Sequence, residues 1–259
     1  MRLIYFLALG FLFVFGTCIG SFLNVCIYRI PAGESIVSPP SRCPQCGAGI
    51  RWYQNIPIFS WIVLGGRCAS CKAGIPFRYP LVEALTGGLF LLVFFYFGIS
   101  WPTLVFWVFM SLLVVITFID LDHQIIPDVI SLPGIVIGFA CSFLLPWITW
   151  TDSLYGILLG GGSLFLVAAG YELLTRKEGM GGGDVKFLAM LGAFLGWKAI
   201  LPVIFISSLL GTMVGVPLML IKGADRKLAI PFGPFLAVGA VIWLFWGGML
   251  LSWYLGFFR

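Results

Sequence analysis

The sequence predicts an all-α polytopic membrane protein: about eight transmembrane helices plus a small zinc-ribbon-like loop domain. Three observations carry that expectation. Of the 259 residues, 61% are hydrophobic and 10% charged, against roughly 25% charged in soluble domains, and the mean hydropathy is +1.08. The apolar residues gather into segments near the roughly 20 residues that cross a hydrocarbon core. Four of the seven cysteines pair as C-x-x-C in the one long polar stretch.

The segments run 3–27, 81–100, 102–120, 129–149, 153–174, 184–196, 198–220 and 232–256, the sixth being short. Trp101, Trp147, Trp150, Trp197 and Trp253 fall near their ends, where amphipathic rings favour the water boundary. The first segment is longer than a signal peptide's apolar core and its stronger basic flank follows it, so it reads as a retained span. The expected division is a first span at 1–27, a loop domain at 28–80 and a seven-helix bundle at 81–259.

Basic residues set the orientation. With residues 28–80 in the cytoplasm, the inner loops hold Arg29, Arg42, Arg51, Arg67, Lys72, Arg78, Arg176, Lys177, Lys186, Lys222, Arg226 and Lys227, and only Arg2, Lys198 and Arg259 lie outside. The positive-inside rule then gives both termini outside. The formal charge of +5 is thereby a topology signal and no argument for nucleic acid.

Residues 28–80 contain Cys43-Pro44-Gln45-Cys46 and Cys68-Ala69-Ser70-Cys71, 21 residues apart, just beyond the roughly 15 to 20 of tetrathiolate zinc ribbons. Four thiolates close a tetrahedral site with no open position, so Cys43, Cys46, Cys68 and Cys71 are expected to hold a structural Zn²⁺. Disulfides are the alternative, which a reducing cytosol disfavours. A loop this poor in apolar residues needs such a clip. Cys18, Cys26 and Cys141 lie in apolar segments and read as packing residues.

Two acids stand out. Asp184 follows Gly179-Met180-Gly181-Gly182-Gly183 and opens an apolar segment. An Asp costs about 2.5 to 3.5 kcal/mol at mid-span, less near the interface, so it is either an N-cap or a functional group. Asp120 lies furthest into the third segment, ahead of Asp122, His123, Pro127 and Asp128. Asp128 reads as the N-cap of the fourth segment and Asp122 and His123 as solvated residues. Counting crossings brings Asp120 and Asp184 to the same inner boundary. Two carboxyls a few ångströms apart would share one proton and activate a water between them.

Gly181-x-Gly183-Asp184 with Asp120-x-Asp122-x-x-x-Ile126-Pro127-Asp128 resembles the two-aspartate signature of the GxGD membrane aspartic proteases, and specifically of the bacterial type IV prepilin peptidases. The segments 20–31, 78–83 and 230–235 and the paired cysteines also resemble that family's motifs. The resemblance implies an enzyme of the bacterial inner membrane that cuts the leader from prepilins or pseudopilins and then methylates the new N-terminal amine with S-adenosylmethionine. Asp120 and Asp184 would be the catalytic pair. Gly181, Gly182 and Gly183 would let the substrate lie extended, and Lys186 would meet its acidic residue. No strand with G-x-G-x-x-G is present, so the methyl donor would be held near the first loop, by polar groups such as Asn24, Arg29, Arg78 and Glu83. Each of these could equally be a helix cap or an interfacial residue.

Two other classes stay open. A proton-coupled transporter also buries carboxylates in helices, although its site usually sits at the midplane between related repeats. A non-enzymatic assembly factor would use the cysteine loop to grip a partner. The oligomeric state is not legible.

Overall fold

A computed structural model describes residues 2–176, 181–222 and 230–256. Gly179 and Met180 of the glycine run, and Lys177, Arg226, Lys227 and Arg259 of the topology argument, lie outside the described residues. All eight apolar segments are helical. They form α1 (Arg2–Arg29), α3 (Arg78–Phe97), α4 (Trp101–His123), α5 (Asp128–Cys141), α6 (Trp150–Thr175), α7 (Gly182–Leu195), α8 (Ile200–Lys222) and α9 (Gly233–Gly256), with a short α2 (Phe59–Val63) in the loop.

Six of these helices are long and apolar enough to cross a membrane. The expected count of eight is corrected by α5 and α7, with 14 residues each. Such a helix is about 21 Å long against a hydrocarbon core of about 30 Å. The causes are local: the fourth segment breaks into turns after Cys141, and α7 is stopped by Gly196 at φ +77. Pro127 does bring the expected break, but α4 already ends at His123.

The chain divides into two compact units, one ending at Val115 and one beginning at Ile116, with the boundary inside α4. In the first unit α1 lies along α3 through a small-residue face. A Cβ on Gly16 would come within 2.8 Å of the Gly87 Cα, and one on Gly20 within 2.7 Å of the Glu83 Cα. Lipid tails give helices no hydrophobic reason to associate, so backbones that approach closely supply the contact. The Trp107 indole stacks on Phe90 at 5.0 Å and donates to the Phe90 carbonyl at 3.0 Å, tying the start of α4 to α3.

The second unit is built around α7, buried from Phe187 to Leu195. Its neighbour α6 presents Ser153, Gly156 and Gly160. A Cβ on Gly156 would strike the Gly192 carbonyl oxygen, one on Gly192 would strike that of Gly156, and one on Gly160 would lie 2.6 Å from the Leu188 oxygen. The Ser153 hydroxyl donates to the Ala193 carbonyl at 2.8 Å. These contacts fix the register: Gly156 faces Gly192, Gly160 faces Leu188, and the two helices run antiparallel. At the Gly196 end, Thr149 and Asp152 form a capping box for α6, and Asp152 also accepts the Trp197 indole N–H at 3.0 Å.

A Gly156→Leu change should therefore separate α6 from α7 and destabilise the protein by about 3 kcal/mol or more. Gly162→Ala, where a Cβ meets nothing within 4 Å, should leave the detergent melting temperature unchanged. Thermal melts of the purified variants check both.

Candidate active site and metal centre

Asp120 sits on the last turns of α4 and is 5% exposed. Its Oδ2 accepts the backbone N–H of Gly233, the first residue of α9, at 2.9 Å. Helix N-termini carry unpaired N–H groups and a partial positive charge, so α9 supplies the donor that burial of a carboxylate requires. A Cβ on residue 233 would lie 2.7 Å from that same oxygen. Only glycine lets the backbone come so close.

Asp184 lies in the first turn of α7, three residues past the N-cap Gly181, so it is not itself the cap. It is half-buried, and its carboxylate is within electrostatic reach of Asp120. Among the described residues, neither of its carboxylate oxygens has a hydrogen-bond partner. The two helix ends are joined through Gly183, where a Cβ would lie 2.9 Å from the Ile126 Cβ. Gly181 and Gly182 are exposed. Asp128 corrects an expectation: the N-cap of α5 is Pro127, and Asp128 is the first helical residue, with both oxygens 2.7 Å from the Lys186 ammonium. Asp122 and His123 are exposed.

The four paired cysteines meet. Their sulfurs lie within 4.8 Å of one another, with Cys43 and Cys71 at 3.9 Å, close to the roughly 3.8 Å between sulfurs around a tetrahedral ion with metal–sulfur bonds of about 2.3 Å. No disulfide joins them. The donor set and spacing fit a closed tetrathiolate metal site. The backbone N–H groups of Cys71 and Ser70 lower the Cys68 thiol to about 6, while burial and the neighbouring thiols Cys46, Cys68 and Cys43 push Cys71 up to about 11, so four thiolates this close need a cation among them. The halves are copies: 42–50 reads R-C-P-Q-C-G-A-G-I and 67–75 reads R-C-A-S-C-K-A-G-I. In each, the first cysteine's N–H donates to the alanine carbonyl, Cys43 to Ala48 at 2.9 Å and Cys68 to Ala73 at 2.8 Å. In each, the residue after the second cysteine is left-handed, Gly47 at φ +71 and Lys72 at φ +62.

Beneath this loop the first unit holds a cavity of about 290 Å³. Asn24, Arg29 and Glu83 line it, and Arg78 does not. Asn24 donates to the Tyr79 carbonyl at 3.1 Å, the Arg29 guanidinium to the Ser35 and Pro39 carbonyls at 2.8 Å each, and Glu83 accepts the Ile58 N–H at 2.7 Å.

Known proteins resemble this chain along most of its length. Residues 14–97 match the Bacterial Peptidase A24 N-terminal domain, and residues 107–216 match the Type IV leader peptidase family. A "Prepilin leader peptidase/N-methyltransferase" of Pseudomonas aeruginosa is 39% identical over 93% of this chain and 91% of its own length. The chain belongs to the type IV leader peptidase family. Proteins of the same name from Aeromonas hydrophila and Neisseria gonorrhoeae are 39% and 41% identical, over 94% and 88% of this chain and 92% and 87% of theirs. No solved structure matches the chain.

The leader peptidase match at 107–216 contains Asp120 and Asp184 but not Gly233, whose part in the site the sequence did not reveal. Its motif was visible, but the contact joins residues 113 positions apart through a main-chain N–H, which no residue type encodes. The duplicated nine-residue unit, by contrast, is legible in the residues themselves, beyond the cysteine spacing that a metal-site pattern uses. A left-handed lysine costs about 1 to 2 kcal/mol relative to glycine. Lys72→Gly is therefore expected to tighten metal binding by about fivefold or more, measured by competition with a chromophoric chelator.

Proposed function

We propose that this chain is an intramembrane aspartic endopeptidase that removes the leader from type IV prepilins or pseudopilins and then N-methylates the new terminus. What supports the reading is the placement of Asp120 in the last turn of α4 and Asp184 in the first turn of α7, within electrostatic reach of each other. The family membership and the names of the relatives support it.

The chemistry follows from the oxygens. The Gly233 N–H can only donate, so Asp120 Oδ2 must accept, leaving Oδ1 to exchange protons with a water or with Asp184. With one carboxyl ionised and its neighbour protonated, the first takes a proton from water as its oxygen adds to the scissile carbonyl carbon. The second protonates the carbonyl oxygen, and a further proton transfer releases the amine. A helical substrate has its carbonyls already bonded, and the exposed backbone at Gly181 and Gly182 lets an unwound segment lie beside the acids. Lys186 positions the acidic residue of the substrate by exchanging it for Asp128.

The metal at Cys43, Cys46, Cys68 and Cys71 is Zn²⁺ in a structural role, and residues 28–80 face the cytoplasm of a bacterial inner membrane, supported by the basic residues of that loop. The methyl donor would be S-adenosylmethionine, which when bound would supply a methyl group carried on a sulfonium sulfur. Its expected contacts are Asn24, Arg29 and Glu83, with Arg78 outside the cavity they share.

Asp120→Asn and Asp184→Asn should each abolish leader removal from a co-expressed prepilin while the protein stays membrane-inserted. A binding factor would tolerate both changes. Gly233→Ala should lower the cleavage rate by about 10²-fold through displacement of one carboxyl, and should also lower the melting temperature because a buried carboxylate loses its donor; normal cleavage in that variant would exclude a part for the Gly233 amide in the site. Chelation, or Cys43→Ser, should disorder the loop, seen as protease sensitivity within 28–80, before cleavage is lost.

A further inference from the structure

We propose that α2 is a foot of the loop domain set into the adjoining leaflet of the bilayer, with Phe59, Ile62 and Val63 among acyl chains and anionic lipid headgroups around it. The first observation is depth. The Ile58 N–H, at the start of α2, donates to a Glu83 carboxylate oxygen at 2.7 Å, and the Ser21 hydroxyl meets the same carboxylate. Glu83 lies five residues past the start of α3, about 7.5 Å by helical rise, and Ser21 eight residues short of the end of α1, about 12 Å. With 20 residues α3 is about 30 Å long, which matches a hydrocarbon core of about 30 Å. Its first residue, Arg78, then marks the boundary, and the chain at Ile58 has returned below it.

Polar backbone at such a depth must find its partners inside the protein. Glu83 supplies one for Ile58, and Pro57, just before it, has no N–H to satisfy. The buried carboxylate thus fastens the loop to the two spans.

The second observation is the sidedness of α2. Ser60 is buried, its hydroxyl donating to the Tyr53 carbonyl at 3.0 Å. Trp61 donates to the Ile75 carbonyl at 3.0 Å and packs edge-on against Phe77, with ring centroids 5.7 Å apart. The opposite face, at i, i+3 and i+4, leaves Phe59, Ile62 and Val63 60%, 64% and 65% exposed. Three large apolar side chains gathered on one face are unfavourable in water, whereas a helix in the membrane interface buries such a face about 5 to 10 Å into the leaflet.

Charge selects the lipid. Residues 28–80 hold Arg29, Arg42, Arg51, Arg67, Lys72 and Arg78 against Glu34 alone, so the whole formal charge of +5 belongs to this loop and the rest of the chain is balanced. A basic segment pressed against a bilayer draws anionic headgroups to it.

The test uses the full-length protein in nanodiscs of equal phosphatidylcholine and phosphatidylglycerol, with p-benzoylphenylalanine replacing Phe59 or, as a control, Phe95, an exposed residue of α3. Irradiation should give lipid adducts at both positions, and at residue 59 phosphatidylglycerol should exceed phosphatidylcholine by about threefold or more. Adducts from residue 59 to a second copy or to residues 116–259 in place of lipid would overturn the foot, as would none at 59 when 95 labels. Equal labelling by the two lipids would overturn the choice of anionic headgroups. Ile62→Glu combined with Val63→Glu should free α2, so that trypsin cuts after Arg67 about tenfold faster or more in the discs, with bound metal as in the wild type. An unchanged rate would also overturn the proposal. Leader removal at Asp120 and Asp184 is independent of either result.

Discussion

One hydrogen bond, from the Gly233 N–H to Asp120 Oδ2, is the contact on which the burial of Asp120 depends. A carboxylate among apolar helices needs a donor that is itself desolvated and correctly aimed. A helix N-terminus provides one, and it also favours negative charge. The bond fixes the end of α4 against the start of α9. Gly183 fixes the start of α7 against Ile126, a few residues beyond Asp120. The ends of α4, α7 and α9 thus carry the two acids and the amide that holds one of them.

The same economy of side chains holds the unit together. α7 is too short to owe its position to the bilayer, so it is held by what surrounds it. Gly156, Gly160 and Gly192 allow the α6 and α7 backbones to touch, and the Ser153 hydroxyl adds a bond to a helix carbonyl. The first unit repeats the device with Gly16 and Gly20 of α1 against α3. Dispersion and close contact replace the hydrophobic effect that would drive such packing in water.

Much of this was legible in the sequence. Hydropathy marked every long helix, because a run of apolar residues is a local property. The cysteine pairs named their own partners, because thiolate ligands come in few spacings. Asp120 and Asp184 were conspicuous for their cost. What escaped were relations between distant backbones: the glycine faces, the Gly233 amide, and the pairing of Lys186 with Asp128, 58 residues apart. Hydropathy marked the sixth segment, α7, as short, but gave no hint that α5 would be, since apolar residues fill turns and helices alike; the stop at Gly196 comes from a left-handed angle that glycine permits and does not demand.

The register of α6 on α7 has a geometric consequence. With Gly156 opposite Gly192 and Gly160 opposite Leu188, Asp184 stands level with residues 162–164, and α6 then runs on to Thr175, about eleven residues or about 17 Å further. The acid is thus countersunk well below the rim of its neighbour. A peptide bond brought to it from that side therefore lies alongside the last turns of α6, about three of them.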